Sequence, residues 1–171
     1  QLVVQMLDPQ PGETIWDMCA APGGKTAYMG RLMNETGRIL ATDVHANKTK
    51  TLSKLLTGSL YTVKRHDSAS PVTEAAFDRV LLDAPCTGLG VVRRHPEIRW
   101  RRSPADIAER AHLQRTLLDN AAKAVLPGGV LVYSVCSDAH EEGRDHVEPF
   151  LTAHPEFTLE PPTTESVPWA D

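Results

Sequence analysis

A disulfide framework is the first thing this sequence lacks. Its three cysteines, Cys19, Cys86 and Cys136, include no CxxC pair, and their number is odd. That argues against a stapled secreted scaffold and against a structural zinc site. It fits a reduced, cytoplasmic setting in which thiols are buried or reactive. His140-Glu141 does not extend to HExxH, so no resident metal is expected. Long apolar runs are missing as well, and so is a signal-peptide pattern; neither a membrane span nor a secretory leader is expected. An excess of positive charge is missing too, the formal net charge being -4. Proteins that coat nucleic acid indiscriminately are usually basic overall, so any nucleic-acid surface here must be a local patch.

What is present is enough for one domain. The chain has 171 residues, sufficient for a real core. It is read as a single monomeric domain over 1–171. Because it begins at Gln1, close to its first strand, it is expected to be a piece of a longer protein. Short apolar runs alternate with helical patterns. Strands are predicted at Thr14–Met18, Arg38–Asp43, Leu60–Lys64, Phe77–Asp83 and Val130–Val135, with a sixth at Phe157–Leu159. Helices are predicted at Lys25–Met33, Ala46–Leu56 and Asp106–Val125, the last with Leu113, Leu117, Leu118 and Ala121 on one face and Pro127-Gly128-Gly129 as its stop. Only the Pro-rich tail from Pro161 to Asp171 looks irregular. Such alternation implies an α/β fold, a mostly parallel sheet with helices on both faces. Continuous apolar strands agree, since parallel strands are buried on both sides.

Ligands in such sheets bind beyond the carboxyl ends of the strands. The unusual residues fall there: Cys19 to Gly24 after the first strand, Asp43 ending the second, Asp67 after the third, Asp83 to Cys86 at the fourth, and Cys136 at the fifth. The turn Cys19-Ala20-Ala21-Pro22-Gly23-Gly24-Lys25-Thr26 leads from strand to helix. Its glycines let a ligand approach the backbone, and the helix start offers free N–H groups. A nucleoside triphosphate would need GxxxxGK[ST], but Cys19 occupies the first glycine position; a dinucleotide would need GxGxxG, which is absent. S-adenosylmethionine remains, with its methionine part at the turn and an acid for its ribose. Asp43 is placed for that acid, although it could also cap the helix that follows. Asp67 is a candidate for the adenine amino group, or simply a loop aspartate.

Together, the segments DMCAAPGGKT, LLDAPCTGLGVVRRHPEIRW and LVYSVCS resemble the RNA 5-methylcytosine methyltransferase family, and within it the bacterial small-subunit ribosomal RNA enzymes of the RsmB (Fmu/Sun) type. The resemblance runs from about Thr14 to about Glu142. It implies a Rossmann-like methyltransferase fold, with S-adenosylmethionine as cofactor and RNA, expected to be ribosomal, as partner. It also implies an N-terminal RNA-binding domain and a last strand, neither of which is found in this sequence. One departure is Val135 before Cys136, where the family usually has threonine; that residue neighbours the nucleophile and is not itself the nucleophile.

The resemblance implies roles as well. Carbon 5 of cytosine is a poor nucleophile, and a thiolate added to carbon 6 makes it enamine-like. Cys136 would be that thiolate. Asp83 would hydrogen-bond the exocyclic amine and N3, and Cys86 would serve product release. Lys25 would lend positive charge nearby. Each cysteine taken alone is more simply a small buried hydrophobe; Cys86, Cys136 and Asp83 converging on one crevice weaken that view. Beside the Pro-Cys loop, Arg93, Arg94, His95, Arg99, Trp100, Arg101 and Arg102 make a basic run in an otherwise acidic chain. Arginines pair with phosphates, and Trp100 either stacks on an unpaired base or belongs to the core. Two other functions compete with this one. An amine methyltransferase would often carry an Asn-Pro-Pro-Tyr-like motif where this chain has Asp83-Ala84-Pro85-Cys86. A decayed RNA-binding module would not keep the cysteines and acids.

Overall fold

The computed structural model describes residues 2–71 and 77–160; the Pro161–Asp171 tail lies outside them. Five strands form one sheet in the order β3-β2-β1-β4-β5. They are β1 (Thr14–Asp17), β2 (Arg38–Asp43), β3 (Tyr61–Arg65), β4 (Phe77–Asp83) and β5 (Val125–Ser134). Every pairing is parallel. All five carboxyl ends therefore share one edge, and the chain reverses its winding between β1 and β4.

Side chains alternate across this sheet, and both faces are buried. On one face Ile15, Ile39 and Leu81 pack against α1 (Leu2–Leu7) through Val4 and Leu7, and against α2 (Gly24–Leu32) and the residue after it through Met29 and Met33. Leu52, on α3 (Ala46–Leu55), covers Ala41. On the other face Trp16, Val80 and Leu82 meet Leu117, Leu118 and Ala121 of α5 (Pro104–Ala124). Fully burying one such leucine contributes roughly 1.5–3 kcal/mol, so the strands form a rigid platform. Helix α5 starts where its chemistry places it. Ser103 and Asp106 form a reciprocal capping box, and Pro104 occupies the first turn.

Two expectations fail, and one element was not anticipated. No strand forms at Phe157–Leu159. Phe157 instead packs edge-on against Phe150 of α6 (Val147–Ala153), with ring centroids 5.4 Å apart, and Leu159 is exposed. A strand there would need a neighbour to pair with, and the aromatic contact takes its apolar residue elsewhere. Before the first strand stands α1, whose Val4 and Leu7 are both buried. The second failure concerns β5, which begins at Val125 rather than after the Pro-Gly-Gly stop. Phe77 pairs with Val125 and Arg79 with Val130, so 126–129 bulges out of the ladder. Gly129 is required at that bulge, because a Cβ there would lie 2.6 Å from the Asp78 carbonyl oxygen.

Candidate active site

The turn after β1 is held from below by a buried polar lattice. Trp16 Nε1 donates to Thr42 Oγ1 at 3.0 Å; Thr42 Oγ1 and Ser68 Oγ both donate to the Met18 carbonyl at 2.9 Å. The Ala20 N–H bonds the Thr42 carbonyl at 2.8 Å. This fixes the ends of β1 and β2 relative to each other. Gly23 then makes the bend, with φ of 102°, and a Cβ on it would fall 2.8 Å from Leu52. Gly23 thus serves the left-handed turn and the close approach of α3. Gly24 has open space around its Cα, where α2 presents its first N–H groups.

A cavity of about 340 Å³ lies over this turn. Of the sequence-predicted cofactor residues, Cys19, Ala20, Ala21, Pro22, Gly24, Lys25 and Asp83 line it, whereas Gly23, Asp43 and Asp67 do not. Asp17, Tyr28 and Val4 line it too, and sequence reasoning missed all three. Asp17 is fully buried and accepts the Thr26 hydroxyl at 2.7 Å. Burial raises its carboxyl to about 7, partly opposed by that hydrogen bond. Burial, reinforced by Asp17, Asp43 and Asp83, pushes the Cys19 thiol up to about 12. Cys19 is therefore a neutral wall of the cavity.

Asp43 ends β2, nearly buried. Its Oδ1 accepts the His45 N–H at 2.8 Å, which turns the chain into α3, and Lys48 Nζ stands 3.9 Å from Oδ2. The N-cap of α3 is His45, so Asp43 makes a turn before the helix and does not cap it, and its Oδ2 is left with only that distant ion pair. Asp67 is exposed beyond β3, and its Oδ1 accepts the Ala69 N–H at 3.0 Å.

Asp83 closes β4 and stands between two partners. Lys25 Nζ donates to Oδ2 at 2.6 Å, and Ser134 Oγ donates to Oδ1 at 2.6 Å. The carboxylate is thereby tied to the cofactor turn on one side and to β5 on the other. Just beyond, the Sγ atoms of Cys86 and Cys136 are 3.2 Å apart. Cys86 is half-buried and Cys136 exposed. Burial and the hydrogen bond to Cys136 push the Cys86 thiol up to about 12. Cys86 therefore keeps its proton near neutral pH, and its S–H can point at the Cys136 sulfur.

The basic run follows a 3₁₀ turn (Leu89–Val91), whose Gly90 N–H donates to the Cys136 carbonyl at 3.1 Å, and it continues through α4 (Ile98–Arg101). Trp100 is 89% exposed, which excludes the core reading. Arg102 differs from its neighbours: its Nε donates to the Thr87 carbonyl at 3.1 Å and ties the run to the Pro-Cys loop. His95 pairs with Glu97 at 3.4 Å. Among the described residues no carboxylate lies in ion-pair range of Arg93, Arg94, Arg99 or Arg101.

A reversed-winding parallel sheet with a small-residue turn after β1 and acids at the ends of β1, β2 and β4 defines a nucleotide-type α/β site, and the paired thiols set it apart from ordinary dinucleotide folds. The comparisons with known proteins give the particular family. A family model described as 16S rRNA methyltransferase RsmB/F matches residues 4–169, and the chain belongs to that family. It is 43% identical over 167 residues to ribosomal RNA small subunit methyltransferase B of Salmonella paratyphi A, covering 95% of this chain and 39% of that protein. Among solved structures, NSun6 from Pyrococcus horikoshii, determined with the S-adenosylmethionine analogue SFG, superposes with a TM-score of 0.81 at 33% identity, over 89% of this chain and 40% of that one. A protein designated PH0851 superposes with a TM-score of 0.91 at 40% identity, over 95% and 38%. The chain thus spans about two fifths of the length of these relatives. Among the described residues, no helix is long and apolar enough to cross a membrane.

Proposed function

We propose that this chain carries the catalytic centre of an S-adenosylmethionine-dependent RNA methyltransferase acting on carbon 5 of a cytosine through a covalent bond from Cys136 to carbon 6. The observation that carries this reading is the pair of sulfurs 3.2 Å apart beside Asp83. Family membership supports the methyl-transfer class, and the names of the relatives support ribosomal RNA as the substrate. The residues present fit the cofactor. Small residues and the open α2 terminus leave room for the amino-acid end, Asp43 keeps Oδ2 for the ribose, and Asp67 remains an acceptor for the adenine amine. When bound, the cofactor supplies an electrophilic methyl.

The chain's own groups do the rest. The half-buried Cys86 stays protonated, and its S–H can donate to the Cys136 sulfur when Cys136 acts as the thiolate. That thiolate adds to carbon 6. Asp83, held rigidly by Lys25 and Ser134, accepts from the exocyclic amine as charge builds in the ring. After methyl transfer a water molecule takes the carbon 5 proton, the freed electron pair restores the ring double bond, and the carbon–sulfur bond breaks beside Cys86 with its electrons returning to Cys136 as thiolate. The unpaired arginines and exposed Trp100 hold an unpaired or flipped-out nucleotide at the mouth.

The two cysteines separate in an adduct assay with target RNA and cofactor. Cys136→Ala should be inactive and form no covalent complex. Cys86→Ala should accumulate a protein–RNA complex that survives denaturing electrophoresis, and the double variant should lose it. An adduct in Cys136→Ala that vanishes in Cys86→Ala would invert the roles. Activity retained in Cys136→Ala would end the covalent reading.

A further inference from the structure

Beneath the two sulfurs lies a buried acid that this mechanism does not use. Glu142 has no exposed surface. Its Oε1 accepts the Thr87 N–H at 2.8 Å and Gln114 Nε2 at 3.1 Å, and its Oε2 accepts the Thr87 hydroxyl. Thr87 Oγ1 lies 3.2 Å from Ser137 Oγ. The same two residues directly follow the two cysteines. One carboxylate therefore clasps the loop after Cys86 to the loop after Cys136.

The clasp is anchored on every side. Gln114 Nε2 also donates to the Pro85 carbonyl at 3.0 Å, so its Oε1 must accept from His146 Nε2 at 3.1 Å. That makes His146 a neutral imidazole carrying its proton on Nε2, consistent with the lowered pKa that its burial causes. The Tyr133 hydroxyl donates to the Glu142 carbonyl at 2.5 Å. Burial alone would push the Glu142 carboxyl up, but the hydrogen bonds from Ser137, Thr87 and Gln114 outweigh it and hold the group below its usual range. A buried carboxylate with this many donors is a fixed point, since removing any one leaves a costly unpaired group.

We infer that Glu142 is a positioning residue of the two-cysteine centre, setting the separation of Cys86 and Cys136 through Thr87 and Ser137. This rests on the reading above for its effect on turnover, while its geometric part stands apart from catalysis. The test uses the full-length protein and three variants: Glu142→Ala, Thr87→Val and Thr87→Ser. Thr87→Val preserves shape and the N–H contact but deletes the hydroxyl; Thr87→Ser restores it. The first readout is the rate at which diamide joins the two sulfurs, the thiols giving up two hydrogens as diamide becomes the hydrazine. That rate depends on sulfur proximity and needs neither RNA nor cofactor.

Coupling should slow by about tenfold in Glu142→Ala and Thr87→Val, and return to near the native rate in Thr87→Ser. Turnover should follow, with kcat lowered by about tenfold and the RNA KM within about twofold, while Tm and SFG affinity in Thr87→Val stay near native. Unchanged coupling in a folded Thr87→Val protein overturns the inference. So does a loss that tracks falling Tm and that Thr87→Ser fails to rescue, which would make Glu142 a packing residue only. Slowed coupling together with undiminished methyl transfer leaves the clasp standing and removes the two-cysteine chemistry instead.

Discussion

Asp17 gives the sharpest quantitative expectation. Its carboxyl is fully buried at the end of β1 and raised from 3.8 to about 7, mainly by burial. The folded state thus holds this proton more tightly than the unfolded chain does. The favourable contribution is complete below the unfolded value and is lost as pH rises from about 4 to about 7. Each pH unit in that window costs roughly 1.4 kcal/mol, so the total loss is about 4 kcal/mol. Asp17→Asn cannot titrate, yet its amide oxygen can still accept the Thr26 hydroxyl. The stability of the variant relative to the native protein should therefore improve by about 3 kcal/mol between about pH 5 and about pH 8. Urea denaturation of both proteins at several pH values measures this difference, and groups that titrate alike in both cancel. A difference that stays flat with pH would refute the argument, because it would mean that Asp17 ionises as readily folded as unfolded. A difference that shrinks with rising pH would show the sign to be wrong, with the Thr26 and Lys25 contacts outweighing burial.

Two further outcomes are expected. Asp43→Ala should weaken binding of an S-adenosylmethionine analogue by about tenfold or more, since the ribose then has no charged acceptor; calorimetry showing native affinity would remove the ribose assignment. Replacing Arg93, Arg94 and Arg101 together with alanine should weaken RNA binding and flatten its salt dependence by roughly 0.7 for each phosphate no longer neutralised, with analogue affinity unchanged. The same slope in the triple variant would make the basic run a solvated segment.

Although the edge strand β3 is polar and largely exposed, much of the fold was legible because the central strands β1, β2 and β4 have apolar, buried stretches punctuated by helices. That pattern is what a sheet buried on both faces imposes, and Ile15 and Trp16 indeed go to opposite faces. The carboxyl-end rule then singled out the turn after β1 and Asp83, which line one cavity at that edge of the sheet. What escaped was set by contacts distant in sequence. Phe157 read as a strand residue from its apolar neighbours, but its partner is Phe150. Trp100 could read as core by residue type, while the charges crowding it keep it in solvent. Glu142 drew no reading from the sequence; Thr87 is 55 residues away and Gln114 28, and no local pattern displays either. Helix α1 did leave a trace, since Val4 and Leu7 are three apart and share a face. Asp17 left none, because an acid at a strand end looks the same whether solvated or buried.

The strand order explains how one cleft can serve a cofactor and a covalent centre together. Strand β4 lies between β1 and β5. The turn that lines the cavity hangs from β1, the nucleophile proposed here follows β5, and Asp83 on β4 is bonded to both sides through Lys25 and Ser134. Neighbouring strands stand about 4.8 Å apart, so three consecutive strand ends span about 10 Å. That is roughly the reach needed for one base to contact a sulfur on one side and a methyl donor on the other. Had the chain placed Cys136 beyond β3, at the far edge of the sheet, the widths of β2 and β1 would stand between it and Asp83. The reversal of winding between β1 and β4 is therefore what brings the thiol pair next to the cofactor turn, and the Lys25–Asp83–Ser134 chain is what holds the two halves in register.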